Sequence, residues 1–274
     1  MMTNRERILA ILEKRHPDRI PWIPRLEIWH QAHTIRGTLP EKYRDLSLRE
    51  IEHDLRTGTP ARQGGVFQIQ YHHVDIKHQA VGRETTTTYT TPVGKVYTIQ
   101  RSSDTLTQGG VASSLVVSHM IKDLDDYKVV EYIFNNATVS PTYDAYSAYD
   151  QQIGPDGLPM VSIGPDPMYR ILQTLIGFNN AFYHLYDYRT QVLHLYDVIT
   201  EFTTKIQQVV LDSPARLIQH GEHFDAKMTP PNIYREFMLP YFQEFTEKLH
   251  DKGKSITCHA DADLSNLLEL IIDS

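Results

Sequence analysis

The segment from Ala215 to Asp263 constrains this chain more than any other. It reads as strand, helix, strand. Ala215 to His223 is the first strand, with alternating side chains. Thr229-Pro230-Pro231-Asn232 opens a helix that runs to about Asp251, where Lys252-Gly253-Lys254 breaks it. Ser255 to Asp263 is the second strand and its exit. Strand side chains point alternately to the two faces. His220 and Glu222 therefore share one face of their strand, and His259 and Asp261 share one face of theirs. Two parallel strands joined by a helix carry their C-terminal ends side by side. The expectation is that these four metal-capable or acid/base side chains meet at one mouth.

The rest of the chain is long enough to bury a core around such a unit. It has 274 residues, 41% of them hydrophobic and 22% charged, as expected for a single globular domain spanning 1–274. A net charge of −7 argues against a nucleic-acid partner. No apolar run approaches the roughly 20 residues of a membrane span, and the charged N-terminus is no signal peptide. Cys258 is the only cysteine, so no internal disulfide forms. These features point to a cytoplasmic protein.

The spacing predicts an amphipathic helix over Thr3 to Lys14, and a first strand over Ile20 to Trp29 interrupted by Pro21 and Pro24. It predicts a helix over Leu46 to Leu55, capped by Ser47 with Glu50 as its capping-box partner. Val66 to Gln70 reads as a short strand. Glu84 to Thr91 and Lys95 to Arg101 alternate around Pro92-Val93-Gly94, which is hairpin chemistry, and the pair reads as an insertion at about 84–101. Leu124 to Asn135 is a helix behind an Asp123 cap. Pro159 to Gly164 is a strand, and Gly164-Pro165-Asp166-Pro167 turns from it into a helix. Tyr183, Tyr186, Leu193, Leu195 and Tyr196 are assigned to packing on the helices that follow. Strands alternating with helices indicate an α/β fold with a parallel sheet.

Several stretches carry a family likeness. They are the opening from Met2 to Trp22 (MTNRERILAILEKRHPDRIPW), Thr91 to Gly94, His119 to Lys128 (HMIKDLDDYK), Thr229 to Tyr241 (TPPNIYREFMLPY), and Leu249 to Lys254 before a strand ending in His259. Together they resemble the uroporphyrinogen decarboxylase superfamily, and within it the cobalamin-dependent methyltransferase-like branch. The resemblance implies a TIM (β/α)8 barrel. Core strands near 20–28, 64–71, 159–164, 215–222 and 255–261 are fewer than the eight such a barrel needs. The expectation is a barrel truncated at its C-terminus, carrying the inserted hairpin.

Active sites of such barrels lie at the C-terminal ends of the strands. That selects Glu222 and Asp261 as catalytic acid/base groups, and Arg25, Glu27, Trp29, Asp166 and His220 as substrate-binding residues. In the methyltransferase-like branch a His-x-Cys-Gly pattern at this strand end binds zinc. His259 matches its histidine, Asp261 stands in place of the cysteine and Ala262 in place of the glycine. By donor chemistry Glu222, His259 and Asp261, with His220 or His223 in reserve, make a Zn²⁺ site of harder character, and the alternative is a metal-free pocket in which Glu222 or Asp261 acts as acid/base. The resemblance further implies a methyltransferase component that moves a methyl group between a small methylated substrate and a corrinoid protein. The cobalamin sits on that partner, because this chain has no Asp-x-His-x-x-Gly motif. Decarboxylation is the alternative reaction, and a non-catalytic ligand-binding barrel the third reading. The Arg-Gln-Ala-Gly-Arg signature of the decarboxylase is reduced here to Arg25 and a displaced Gln31-Ala32.

Overall fold

The computed structural model describes residues 1–259 and 263–274. Helix α1 (Asn4–Leu12) starts at a complete capping box, with the Thr3 hydroxyl accepting the Glu6 N–H and the Glu6 carboxylate accepting the Thr3 N–H. The first predicted strand does not form. Residues 20–26 are irregular, and helix α2 (Glu27–Arg36) occupies the rest of that stretch, ending on Gly37 in the left-handed region. Pro21 and Pro24 lack the N–H groups a ladder needs, and the helix-forming run after Leu26 meets no competing strand partner. Helix α3 (Leu48–Asp54) has the expected Ser47–Glu50 capping box.

Strands β1 (Phe67–Tyr71), β2 (Asp75–Val81), β3 (Glu84–Thr91) and β4 (Gly94–Arg101) follow, then helix α4 (Asp104–Gln108) and strand β5 (Leu115–Ser118). β2 to β5 form a four-stranded antiparallel sheet in chain order. Its middle pair β3–β4 turns at Pro92 and Val93, with Thr91 opposite Gly94. β1 pairs antiparallel with β6 (Ala137–Pro141), which lies beyond helix α5 (Leu124–Asn135). The Val66 to Gln70 strand was expected in the parallel sheet. Instead Gly64 makes the parallel bridge to Val161, and the chain then leaves to pair with β6.

Gly110, after α4, holds φ +77, and a Cβ there would drive into the Ile28 carbonyl oxygen and lie 2.7 Å from the Ala32 backbone nitrogen of α2. Backbone cannot step aside as a side-chain tip can. Gly110→Ala should destabilise the fold by roughly 2–5 kcal/mol through φ strain plus overpacking. Urea unfolding measures this, and a cost below about 0.5 kcal/mol, as for an ordinary surface change, would refute the close approach.

Helix α6 (Tyr143–Ile153) leads to β7 (Met160–Ser162). Asp166 then caps α7 (Pro167–Tyr169), which continues as a π-helical stretch, Arg170–Ile176. Helices α8 (Phe178–Asp187) and α9 (Arg189–Asp212), strand β8 (Leu217–His223), helix α10 (Pro231–Ile233), a second π-helical stretch Tyr234–Met238, helix α11 (Leu239–Asp251), strand β9 (Ser255–His259) and helix α12 (Leu268–Ile272) complete the order. On α9 Leu195 is fully buried, but Tyr183 and Tyr186 of α8 are largely exposed, against expectation. The apolar stripe of α8 is satisfied by Ala181 and Leu185.

β7, β8 and β9 form a parallel sheet in that order, extended by the Gly64 bridge. Among the described residues this sheet is open, and no closed eight-stranded barrel is formed. One face of it is sealed by helices. Val161, Ile218 and Ile256 stand in register on that face and join the main core with Phe242, Phe245 and Leu249 of α11. No helix among the described residues is long and apolar enough to cross a membrane.

Candidate functional site

The register of β8 against β9 decides which side chains meet. Gln219 pairs with Thr257 and His223 with His259, so β8 bulges between these two pairings. Ile218, His220 and Glu222 share one face and are fully buried. His220 sits among the rings of Tyr241, Phe242 and Phe245, with centroids 5.5, 5.0 and 5.8 Å away. This is the helix-covered face. Gln219, His223, Thr257 and His259 belong to the other face, and the His223 and His259 rings meet at 4.6 Å between centroids.

The predicted convergence of Glu222 with His259 is therefore not formed. Glu222 turns toward the core, where its charge helps burial to push the Cys258 thiol up. His259 turns toward His223, the reserve ligand. Asp261 lies outside the described residues. Among the described residues, no three His, Cys, Asp or Glu side chains are grouped as a metal would require.

The buried face holds a polar network of its own. The Asp166 N–H donates to Glu222 Oε1 at 2.5 Å, and Asp166 Oδ1 accepts the N–H groups of Met168 and Tyr169. His220 Nδ1 lies 3.1 Å from both the Gly164 carbonyl oxygen and Glu222 Oε1. Both are acceptors, which assigns the hydrogen to Nδ1 and leaves Nε2 to accept from the Tyr241 hydroxyl at 3.3 Å. Asp166 and Glu222 are each fully buried, and Asp166 Oδ2 and Glu222 Oε2 have no hydrogen-bond partner among the described residues. Burial first, and the Glu222 charge second, push the Asp166 carboxyl up to about 7. The neighbouring Arg170 guanidinium is held below its usual range by burial, against the pull of Tyr71, Tyr241 and the two carboxylates.

Alternation put His220 and Glu222 on one strand face, and Asp166 joins them there from the turn after β7, on the helix-covered side of the sheet. Enclosed on the helix side, Asp166 and His220 do not line an open mouth. Arg25 and Glu27, the other proposed substrate contacts, lie elsewhere because their segment is not a strand. They line a cavity of about 330 Å³ with Arg49, Glu52, Arg62 and Tyr149. It opens beside the start of β7, where the Met160 N–H donates to the Ala61 carbonyl. Trp29 packs on His33 and Tyr43, at centroid distances of 5.1 and 6.4 Å. Arg62 also reaches β8, donating to Gln219 Oε1 at 3.4 Å.

Two residues emerge that sequence reasoning underrated. His223 had been only a substitute ligand. Tyr169, 1% exposed, was not singled out at all, yet its hydroxyl donates to the His223 carbonyl at 3.2 Å and accepts the His223 N–H at 3.1 Å.

The open face at the ends of β8 and β9 thus offers paired imidazoles, with Gln219 and Thr257 below them on the same face. Such a set can accept or donate a proton and can hold a borderline cation. Compared with known proteins, residues 112–274, more than half of the chain, match the family model described as uroporphyrinogen decarboxylase (URO-D). No curated protein matches the chain.

Proposed function

We propose that this chain, which belongs to the uroporphyrinogen decarboxylase family, is an enzyme that transfers a methyl group between a small methylated substrate and a corrinoid protein. One observation carries this reading. His223 and His259 stand ring to ring at the C-terminal ends of adjacent parallel strands, the position where barrels of this kind do their chemistry.

The donor set also bears on the metal implied by the methyltransferase-like branch. Two imidazoles on one face are part of a Zn²⁺ donor set, one short of the usual three protein ligands among the described residues, whereas Glu222 and Cys258 point the other way. His223 and His259 are thus the residues that would hold it, and it would supply Lewis-acid polarisation of a substrate heteroatom. The chain's own groups do the remaining work. Gln219 and Thr257 orient a small substrate by hydrogen bonds beside the imidazole pair. The helix-sealed network under β8 keeps the strand ends rigid.

Decarboxylation is the second reading, favoured by Arg25 and Arg62 on the cavity wall, where they could bind a substrate carboxylate. One assay separates the two. The protein is mixed with reduced free cobalamin and a panel of methylated alcohols, amines and thiols, and in parallel with carboxylated tetrapyrroles. Methylcobalamin formation supports methyl transfer. Carbon dioxide release without it supports decarboxylation, and the absence of both products sinks both readings.

A further inference from the structure

We propose that Tyr169 is a positioning residue whose hydroxyl fixes the His223 imidazole against His259. The inference rests on the reading of that pair as the reaction centre. The parallel ladder between β7 and β8 ends at Ser162 opposite Gln219. Beyond it β8 bulges, and among the described residues His223 pairs with His259 on its other side. On the β7 side its peptide groups lie past the end of that ladder, at an exposed strand end. The Tyr169 hydroxyl fills that place, donating to the His223 carbonyl and accepting from the His223 N–H. One hydroxyl therefore does for His223 what a neighbouring strand does for Gln219.

The hydroxyl is itself well anchored. Tyr169 is the last residue of α7, its own N–H is held by the Asp166 cap, and its ring packs edge-on to Phe178 at 5.9 Å. On the following residue, the Phe224 N–H donates to the His259 carbonyl at 3.2 Å, which ties the second histidine to the same frame. A hydroxyl bonded to both peptide groups of His223 restricts its backbone, and the backbone limits which rotamers the imidazole can adopt.

The test is Tyr169→Phe in protein labelled at histidine and tyrosine, read by NMR. Wild type should show a direct cross-peak between the His223 and His259 rings, and a second between Tyr127 and His184, which stack at 5.9 Å far from the mouth. The variant should lose the first and keep the second. An unchanged His223–His259 cross-peak in Tyr169→Phe overturns the proposal. Should the variant fold poorly, so that the Tyr127–His184 peak also goes, amide exchange in wild type decides. The His223 N–H should then be protected to the level of Ile218, and fast exchange overturns the proposal. A cross-peak that depends on Tyr169 in a protein that methylates no cobalamin would leave the positioning intact and remove the assigned function.

Discussion

His259→Ala is expected to lower kcat/KM for methyl transfer by about 10²-fold or more, the loss that follows removal of a group acting directly on the reacting atoms. His223→Ala should fall in the same range, and the double variant should lose little beyond either single one, because adjacent groups acting as a unit are not additive. Cys258→Ala is the matched control. Its thiol lies one residue away on the helix-covered side of the sheet, packed against the core. That variant should cost some stability through a small cavity and leave kcat/KM within about threefold. Bound metal, measured by elemental analysis of protein purified without chelator, should fall in the two histidine variants and stay in Cys258→Ala. Wild-type activity retained in His259→Ala would remove the imidazole pair from the chemistry altogether.

The second large effect concerns stability and pH. The Asp166 carboxyl sits up to about 7 in the folded protein, from burial and from the Glu222 charge. In the unfolded chain it returns to the ordinary value of 3.8. Between these two values the folded state binds more protons than the unfolded state. The contribution of this group is therefore fully present below the unfolded value and is lost as pH rises through about 7. Unfolding free energy should fall, on the order of a few kcal/mol, as urea titrations are moved from mildly acidic to mildly alkaline pH. Asp166→Asn keeps an oxygen for the Met168 and Tyr169 N–H groups and cannot ionise. Its stability should vary less with pH across that window, and it should overtake wild type on the alkaline side. Parallel curves for the two proteins would mean that the folded protein does not hold the Asp166 proton above its ordinary range, and would remove this account of the pH dependence.

Much of the architecture is written locally in the chain. The caps at Thr3, Ser47, Asp123 and Asp166 are short-range hydrogen-bonding patterns, and each forms as its residues require. The parallel unit β8–α11–β9 is equally legible, because period-2 alternation on either side of a long amphipathic run has few other solutions. The strand at 20–28 was misread for a physical reason. A hydrophobic run with two prolines lacks ladder donors, and its alternation could not show that Glu27 would begin a helix.

Alternation determined that His220 sides with Glu222 and that the two strand ends lie together. Which of the faces is sealed was also present in outline, since Ile218 shares parity with Glu222, and Ile256 with Cys258. Those apolar residues mark the core side and leave His223 and His259 on the other. What no local pattern contains is the bulge that brings His223 opposite His259, or the hydroxyl of Tyr169 arriving 54 residues away in sequence to hold it. Register between strands and the reach of a side chain from another element depend on how α7 and α11 pack on the sheet. That packing balances contributions from the whole core, so only the tertiary structure decides it.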